Sequence, residues 1–196
     1  MFNDSDVLFH QLEEHDWVYR VIEGFVLIHG CSFEGKEGIT DLYGKGSWFG
    51  PGLDNGIAVQ NATAKQGTLV ERFNAAELSQ YLLEHPTEPR HIIQQISRRE
   101  QQLQQRLLMQ QTLPLAARLA QLLSHYFSNH GQPCEHGHQV DIRLTQQELA
   151  SMAGGSRQSV SQLLASWKRD GVIEYTRDHI CLEDKSSLQH YFCFQP

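Results

Sequence analysis

Residues 144–182 read LTQQELASMAGGSRQSVSQLLASWKRDGVIEYTRDHICL and contain two short helical patterns joined by a glycine turn. Thr145 and Glu148 have the N-cap to N3 spacing of a capping box, which predicts that the first helix begins at about Gln146. Gly154 is expected to end it, because glycine adopts the left-handed backbone conformation without a Cβ clash. A second helix follows after this short turn, so the pattern predicts a helix-turn-helix.

The second helix has one apolar face and one polar face. Apolar residues recur at the spacing i, i+3, i+4 and i+7, which indicates a buried stripe made of Val160, Leu163, Leu164 and Trp167. The opposite face carries side chains that hydrogen-bond base edges or phosphates when such a helix enters the major groove, namely Arg157, Gln158, Ser161 and Gln162. The second helix is therefore the expected recognition helix.

A small hairpin, the wing, is predicted after the recognition helix. Gly171 ends that helix, and the apolar runs 172–175 and 180–182 can pair across residues 176–179. A helix-turn-helix followed by a wing is typical of DNA-binding proteins, so double-stranded DNA is the expected partner. The predicted contacts are bases for Gln158, Ser161 and Gln162, phosphates for Arg157, Lys168 and, at the wing tip, Arg177, with Thr145 and Ser159 beside them.

Length and charge distribution are compatible with this function. A chain of 196 residues is long enough for two domains. The net charge is −7, but residues 1–110 hold 9 Lys and Arg against 15 Asp and Glu, whereas residues 111–196 hold 7 against 8. DNA affinity depends on a local basic surface, which Arg143 and Lys185 can extend. The sequence lacks a run of about 18 apolar residues and a basic N-terminal segment before an apolar run, so we expect a cytoplasmic protein without a membrane partner.

The first half of the chain is predicted to form short antiparallel strands. Alternating residues broken by glycines extend from Trp17 to Phe49, and residues 68–73 add one further strand. This pattern indicates a compact β-roll. A jelly-roll metal enzyme is the alternative, but it needs clustered ligands, and the histidines of this half show no such spacing. The sequence also lacks the Walker, nucleophile-elbow and dinucleotide-binding motifs. We therefore expect that this protein is not an enzyme.

A long polar helix is predicted over residues 86–112. Its narrow apolar stripe consists of Ile92, Ile96, Leu103 and Leu107. A stripe this narrow suits a coiled-coil partner and predicts a homodimer, although packing against its own β-roll is the alternative. Two-fold symmetry would place two recognition helices about one DNA turn apart, which predicts a palindromic site. Pro114 is expected to open the next helix.

The cysteines and histidines provide no clear metal site. The four cysteines are scattered without a Cys-x-x-Cys pair, which argues against a zinc knuckle, an iron–sulfur site and a disulfide framework. A histidine-rich segment could in principle chelate a soft divalent metal through Cys134, His136 and His138. One-residue spacing on a loop fits a tetrahedral site poorly, so we interpret the segment as a solvated connector between a helix and a strand and predict no metal.

The order β-roll, long helix and winged helix resembles the Crp/Fnr family of bacterial transcription regulators over almost the whole chain. The best-matching motifs are residues 144–173 and GKGSWFG at residues 44–50. The resemblance implies an α+β protein: a jelly-roll-like antiparallel β-roll sensor over residues 1–85, a dimerisation helix over 86–112 and a winged-helix DNA-binding domain over 113–196. It also implies a homodimer whose sensor repositions the recognition helices, with RNA polymerase as a further expected partner.

The sequence departs from the cyclic-nucleotide binders of this family. Those proteins follow Phe-Gly with a Glu for the ribose and place an Arg beside a Ser or Thr for the phosphate. Here Pro51 follows Gly50, and Asn-Gly occupies residues 55–56. A buried phosphate without Arg is poorly compensated, which argues against cyclic AMP. The effector is then an unidentified small molecule, a metal or haem, or absent. The expected effector-binding residues are Trp48, Phe49, Gly50, Asn55 and Val59.

Two further expectations concern DNA recognition. Position 158 is Gln where the best-known family members carry Glu, and position 162 is Gln where they carry Arg, so we expect a different operator. A different class of function is an effector-binding or protein-interaction module whose winged helix no longer binds DNA, which the acidic balance of the chain motivates.

Overall fold

A computed structural model divides the chain into two compact units, Met1–Gln105 and Arg106–Pro196. None of the helices in the described part of the chain combines the length and apolarity needed to cross a membrane. The structure describes residues 2–53, 56–65, 67–135, 137–176, 179–182, 188 and 191.

Seven strands form the β-roll in the described part of the first unit. They are β1 (Val7–Phe9), β2 (Val18–Glu23), β3 (Val26–Cys31), β4 (Glu37–Tyr43), β5 (Trp48–Phe49), β6 (Asn61–Ala64) and β7 (Leu69–Phe73). One antiparallel sheet has the order β1-β6-β3-β4 and the other has the order β5-β2-β7. The predicted antiparallel β-roll is confirmed. Its core comprises Phe9, Tyr19, Val21, Val26, Ile28, Phe49, Ala58 and Ala62.

Two helices follow the β-roll: α1 (Ala75–Glu84) and the long α2 (Glu88–Thr112), within which the division between the two units falls. The first helix, which the sequence analysis did not predict, begins with a capping box formed by Asn74 and Glu77. Its apolar side covers a second cluster of buried residues, in which Val18 and Trp48 of the β-roll meet Ile92 of α2.

The prediction that Ile92 belongs to a dimer interface is wrong. Ile92 is only 9% exposed, because its side chain packs against Val18 and Trp48 of the same chain. Polar contacts fasten the same part of α2 to the β-roll. The Gln95 side-chain amide donates to the Gly46 carbonyl at 2.9 Å, and Arg99 pairs with Asp41 at 2.8 Å. The alternative of packing on the β-roll therefore applies to this face of α2.

Beyond the end of α2, the described residues of the second unit form three α-helices and a small sheet. The elements are α3 (Leu115–His130), β8 (Gln132–Cys134), β9 (Gly137–Val140), α4 (Gln146–Ala153), α5 (Arg157–Arg169), β10 (Ile173–Tyr175) and β11 (Ile180–Leu182). The four strands form an antiparallel sheet in the order β10-β11-β9-β8. The predicted helix-turn-helix and wing are both present. Pro114 occupies the N-cap of α3.

The interpretation of the histidine-rich segment as a solvated connector is wrong. Its residues form the hairpin β8–β9, and β9 pairs with the wing strand β11 through Val140 and Ile180. The wing is therefore part of a four-stranded sheet, which gives its strands partners on a broader framework than an isolated hairpin has. Within this segment His136 lies outside the described residues.

Arg118 of α3 connects the end of α2 to the turn of the helix-turn-helix. Its guanidinium donates to the carbonyls of Ala153 and Gly154, both at 2.9 Å. It also donates to the carbonyls of Leu113 at 3.1 Å and Gln110 at 3.3 Å. The last carbonyls of a helix lack partners within the helix and carry partial negative charge. One cation therefore caps the C-terminal ends of both α2 and α4.

We expect Arg118→Met to lower the free energy of unfolding of the second unit by about 2 kcal/mol, because four carbonyls lose a charged donor while the aliphatic stem is retained. Urea denaturation measures the loss. Arg169→Met is the matched control, since Arg169 is exposed and its ion pair with Asp170 is long, with a nitrogen–oxygen distance of 3.7 Å. Equal stability of the Arg118 and Arg169 variants would show that the four contacts stabilise nothing.

Candidate nucleic-acid interface

The capping box and glycine turn of α4 orient the helix-turn-helix. The Glu148 amide donates to the Thr145 hydroxyl at 3.1 Å, and the Thr145 amide donates to the Glu148 carboxylate at 2.7 Å. Gly154 adopts the left-handed conformation with φ of +67°. A Cβ on Gly155 would lie 2.6 Å from a methyl carbon of Leu115, so the turn passes close to α3. The left-handed conformation favours glycine at 154, and the close approach to α3 favours glycine at 155.

The inner face of α5 anchors the recognition helix. Val160, Leu164 and Trp167 are buried, with Trp167 only 1% exposed, whereas Leu163 is half-buried. The helix begins after Ser156, whose hydroxyl accepts from the Ser159 amide at 3.0 Å. The buried stripe predicted from the helical spacing is thus confirmed, and it determines which side of α5 faces solvent.

The outer face of α5 presents most of the predicted DNA-contacting side chains together. Arg157, Gln158, Gln162 and Lys168 are exposed and Ser161 is half-exposed. With about 100° between successive residues, these five positions fall within an arc of about 140°. They form an exposed, largely polar strip along the helix, in which Ala165 is the apolar member. Side chains of this kind can hydrogen-bond base edges and phosphates in the major groove.

Two other predicted DNA-contacting residues have structural roles. The Ser159 hydroxyl lies 2.8 Å from the Ser156 hydroxyl and is half-buried in the helix cap. Thr145 is exposed, but its hydroxyl already accepts the hydrogen bond that caps α4. Arg177 lies outside the described residues, as does Lys185.

The wing is fastened to the start of α4 by a contact that the sequence did not reveal. The Tyr175 hydroxyl donates to the Leu144 carbonyl at 2.6 Å. Burial, with a smaller contribution from the charge of Glu148, raises the pKa of Tyr175, so the phenol remains a proton donor. The Thr176 amide donates to the His179 carbonyl at 3.0 Å and closes the hairpin. No spacing rule connects residues 144 and 175, and only the fold brings them together.

A cavity of about 200 Å³ lies in the β-roll at the predicted effector site. Phe49, Gly50 and Val59 line it, as predicted, together with Phe9, Ile28, Tyr43, Pro51, Ile57, Ala58 and Gln60. These described lining residues include no charged side chain. Asn55 lies outside the described residues.

Trp48 was also predicted to contact the effector, but it does not line this cavity. Successive residues of a strand point to opposite faces of a sheet, so Trp48 and Phe49 of β5 diverge. The Trp48 ring packs against Phe73 and Tyr81 with centroid distances of 5.4 and 5.7 Å. Within the described residues, no group of three or more His, Cys, Asp or Glu side chains is arranged to hold a metal ion.

Comparisons with known proteins agree with this architecture. The protein-family model that describes the Crp-like helix-turn-helix domain matches residues 117–191 of this chain. The cAMP-activated global transcriptional regulator CRP of Haemophilus influenzae is 29% identical over 175 residues, covering 86% of this chain and 76% of the relative. The global nitrogen regulator of a Synechocystis strain is 25% identical over 97% of this chain and 87% of that protein.

Solved structures share the fold over the whole length. FixK2 from Bradyrhizobium japonicum aligns with a TM-score of 0.82 at 16% identity, covering 100% of this chain and 96% of that one. A CooA mutant from Carboxydothermus hydrogenoformans aligns with a TM-score of 0.78 at 20% identity, covering 97% and 85%. The fold and the helix-turn-helix define a DNA-binding transcription regulator. Residues 117–191 match the Crp-like helix-turn-helix family, and over most of its length the chain is similar to regulators of the Crp/Fnr type.

Proposed function

We propose that this regulator binds a palindromic promoter site as a homodimer and that cyclic AMP does not control it. The observation that carries the proposal is the exposed polar strip on α5, opposite the buried Val160, Leu164 and Trp167. Gln158, Ser161 and Gln162 read base edges, because side-chain amides and hydroxyls match donor and acceptor pairs in the major groove. Arg157 and Lys168 contact phosphates. The protein acts by binding rather than by catalysis.

Removing a base contact and removing a phosphate contact should affect DNA binding in different ways. We expect Gln158→Ala to cost about 1–3 kcal/mol at one base position and to relax the preference there. Lys168→Ala should weaken binding to all sequences alike. It should also reduce by about one the slope of the logarithm of affinity against the logarithm of salt concentration. Selection from a randomised duplex pool, followed by titrations at several salt concentrations, measures both effects.

Gln80→Ala serves as the control for these variants, because Gln80 is an exposed glutamine on α1 that bonds to Glu84 of its own helix. It should leave site preference and salt slope unchanged. An unaltered site preference in the Gln158 variant would remove that residue from the reading face. If the native protein shifts no genomic fragment at low salt, the winged helix is an interaction module instead.

The exposed apolar stripe of α2 supports the homodimer. Ile96, Leu103 and Leu107 are 57%, 47% and 60% exposed. Ile93, at 67%, takes the place that the sequence analysis gave to Ile92. Spacings of three and four residues alternate along this seam, as in a coiled coil, with Glu100 and Gln110 at the remaining positions. Burial of four aliphatic side chains against a second copy removes this apolar surface from water.

We expect Leu103→Glu to shift the protein from dimer to monomer, because two facing carboxylates would replace an apolar contact in the seam. Sedimentation velocity measures the change. Leu83→Glu is the matched control, since Leu83 is 78% exposed on α1 and lies outside the seam. Ile92→Ala should lower stability rather than association, because Ile92 packs on its own β-roll. A Leu103 variant that sediments as a dimer would exclude this seam.

The β-roll cavity supports an effector other than cyclic AMP. Its described lining is mainly apolar and aromatic, with Gln60 as a polar but uncharged member, and a buried phosphate without a cationic partner pays a large desolvation cost. Its volume of about 200 Å³ is below the usual range for ligand pockets, about 300–1,000 Å³. A small, uncharged and largely apolar molecule fits this chemistry better than a cyclic nucleotide.

Cyclic AMP should therefore produce no saturable heat in calorimetric titration and no change in DNA affinity. The CRP relative from Haemophilus influenzae, whose name describes it as cAMP-activated, provides a positive control in the same assays. Saturable binding of cyclic AMP to this chain would refute the proposed independence from cyclic AMP while leaving DNA recognition by α5 untouched.

A further inference from the structure

Two cysteines of the second unit lie in direct contact. The Sγ atoms of Cys134 and Cys181 are 3.1 Å apart, only about 1 Å more than the disulfide bond length of about 2.05 Å. Both residues are free thiols in this structure. We propose that Cys134 and Cys181 form a reversible disulfide that ties the hairpin β8–β9 to the wing strand β11.

The strand register explains how residues 47 positions apart meet. Cys181 of β11 pairs with Gln139 of β9, and Gln139 pairs with Gln132 of β8. Cys134 follows Gln132 by two residues, so both cysteines belong to the same face of the sheet. The residue opposite Cys134 is Gly137, which has no side chain to occupy the space beside the thiol. The register therefore places both cysteines on one face of the sheet, on the two strands that flank β9, and their side chains meet with the sulfurs 3.1 Å apart.

Exposure distinguishes the roles of the two thiols. Cys134 is half-exposed, whereas Cys181 is only 4% exposed. Burial, and then the hydrogen bond with Cys134, raises the pKa of the Cys181 thiol to about 11. A thiolate is the attacking species in thiol–disulfide exchange, and access to the oxidant limits the rate. Cys134 is therefore the thiol that reacts first, and Cys181 resolves the intermediate.

A low-molecular-weight disulfide supplies the oxidising equivalents. The Cys134 thiolate attacks one of its sulfurs, forming a mixed disulfide and releasing one small thiolate. The Cys181 thiol gives up its proton and attacks the Cys134 sulfur, which forms the protein disulfide and releases the second thiolate. The protein loses two hydrogen atoms overall, and its two electrons leave with the two small thiols.

The closed ring spans residues 134–181 and contains β9, α4, α5 and β10. A cross-link around a ring of this length restricts the unfolded chain strongly and should stabilise the helix-turn-helix with its wing. Oxidation thus acts on the structure that carries the recognition helix, and it does so whether or not that helix binds DNA.

The test treats the full chain carrying Cys31→Ser and Cys193→Ser, which retains only the proposed pair, with oxidised glutathione. Expected are a protein lighter by two hydrogen atoms, a non-reducing digest in which the peptides of Cys134 and Cys181 are linked, and a Tm raised by several degrees. Dithiothreitol should reverse all three changes. The same digest of the oxidised native chain should contain the same linked peptides.

Single variants provide the controls. Adding Cys181→Ala to the test background should leave Cys134 carrying one glutathione, with no linked peptide, because the resolving thiol is missing. Adding Cys134→Ser should leave Cys181 largely unmodified, because the buried thiol reacts slowly. The proposal would be overturned if, after oxidation of the test chain, the Cys134 and Cys181 peptides are recovered unlinked. This holds whether both remain free thiols, detected by alkylation, or each carries glutathione. These readouts do not depend on DNA binding.

Discussion

The DNA-binding surface depends on the burial of Trp167, which lies on the inner face of α5. A fully buried side chain of this kind contributes about 1.5–3 kcal/mol, and Val160 and Leu164 add to it on the same stripe. Exposed polar residues typically change stability by no more than about 0.5 kcal/mol. The apolar side therefore fixes the rotation of the helix about its axis, and the polar side follows. The orientation of Gln158 and Gln162 is a consequence of what lies behind them.

Local signals in the sequence predicted the DNA-binding elements well because each signal acts over only a few residues. The capping box at Thr145 and the left-handed Gly154 define the limits of α4 without help from the rest of the chain. The helical spacing likewise divided α5 into an inner and an outer face. By contrast, β1 and β6 have three and four residues, too few for an alternating pattern to stand out. The hairpin β8–β9 contains a proline and a glycine, which weaken the strand pattern.

The errors at the sites share a physical origin. Ile92 and Ile93 are adjacent in sequence and about 100° apart on the helix, so the choice of partner depends on which face the β-roll covers. Trp48 and Phe49 are adjacent on a strand and point to opposite sides of a sheet. The Tyr175 hydrogen bond to the Leu144 carbonyl joins residues 31 positions apart. In each case the deciding neighbour comes from a distant part of the chain, which single-sequence patterns do not contain.

The four carbonyls held by Arg118 also determine where an independent DNA-binding fragment can start. Two of them, at Gln110 and Leu113, belong to the segment before α3, and a Cβ added to Gly154 would lie 3.4 Å from the Gln110 Nε2 atom, so this side chain lies beside the turn. A truncation that begins at α3 itself would remove two of the four carbonyl acceptors of Arg118, together with the Gln110 side chain beside the turn. A DNA-binding fragment must therefore include the last turns of α2. The C-terminal part of α2 is structurally a component of the DNA-binding module.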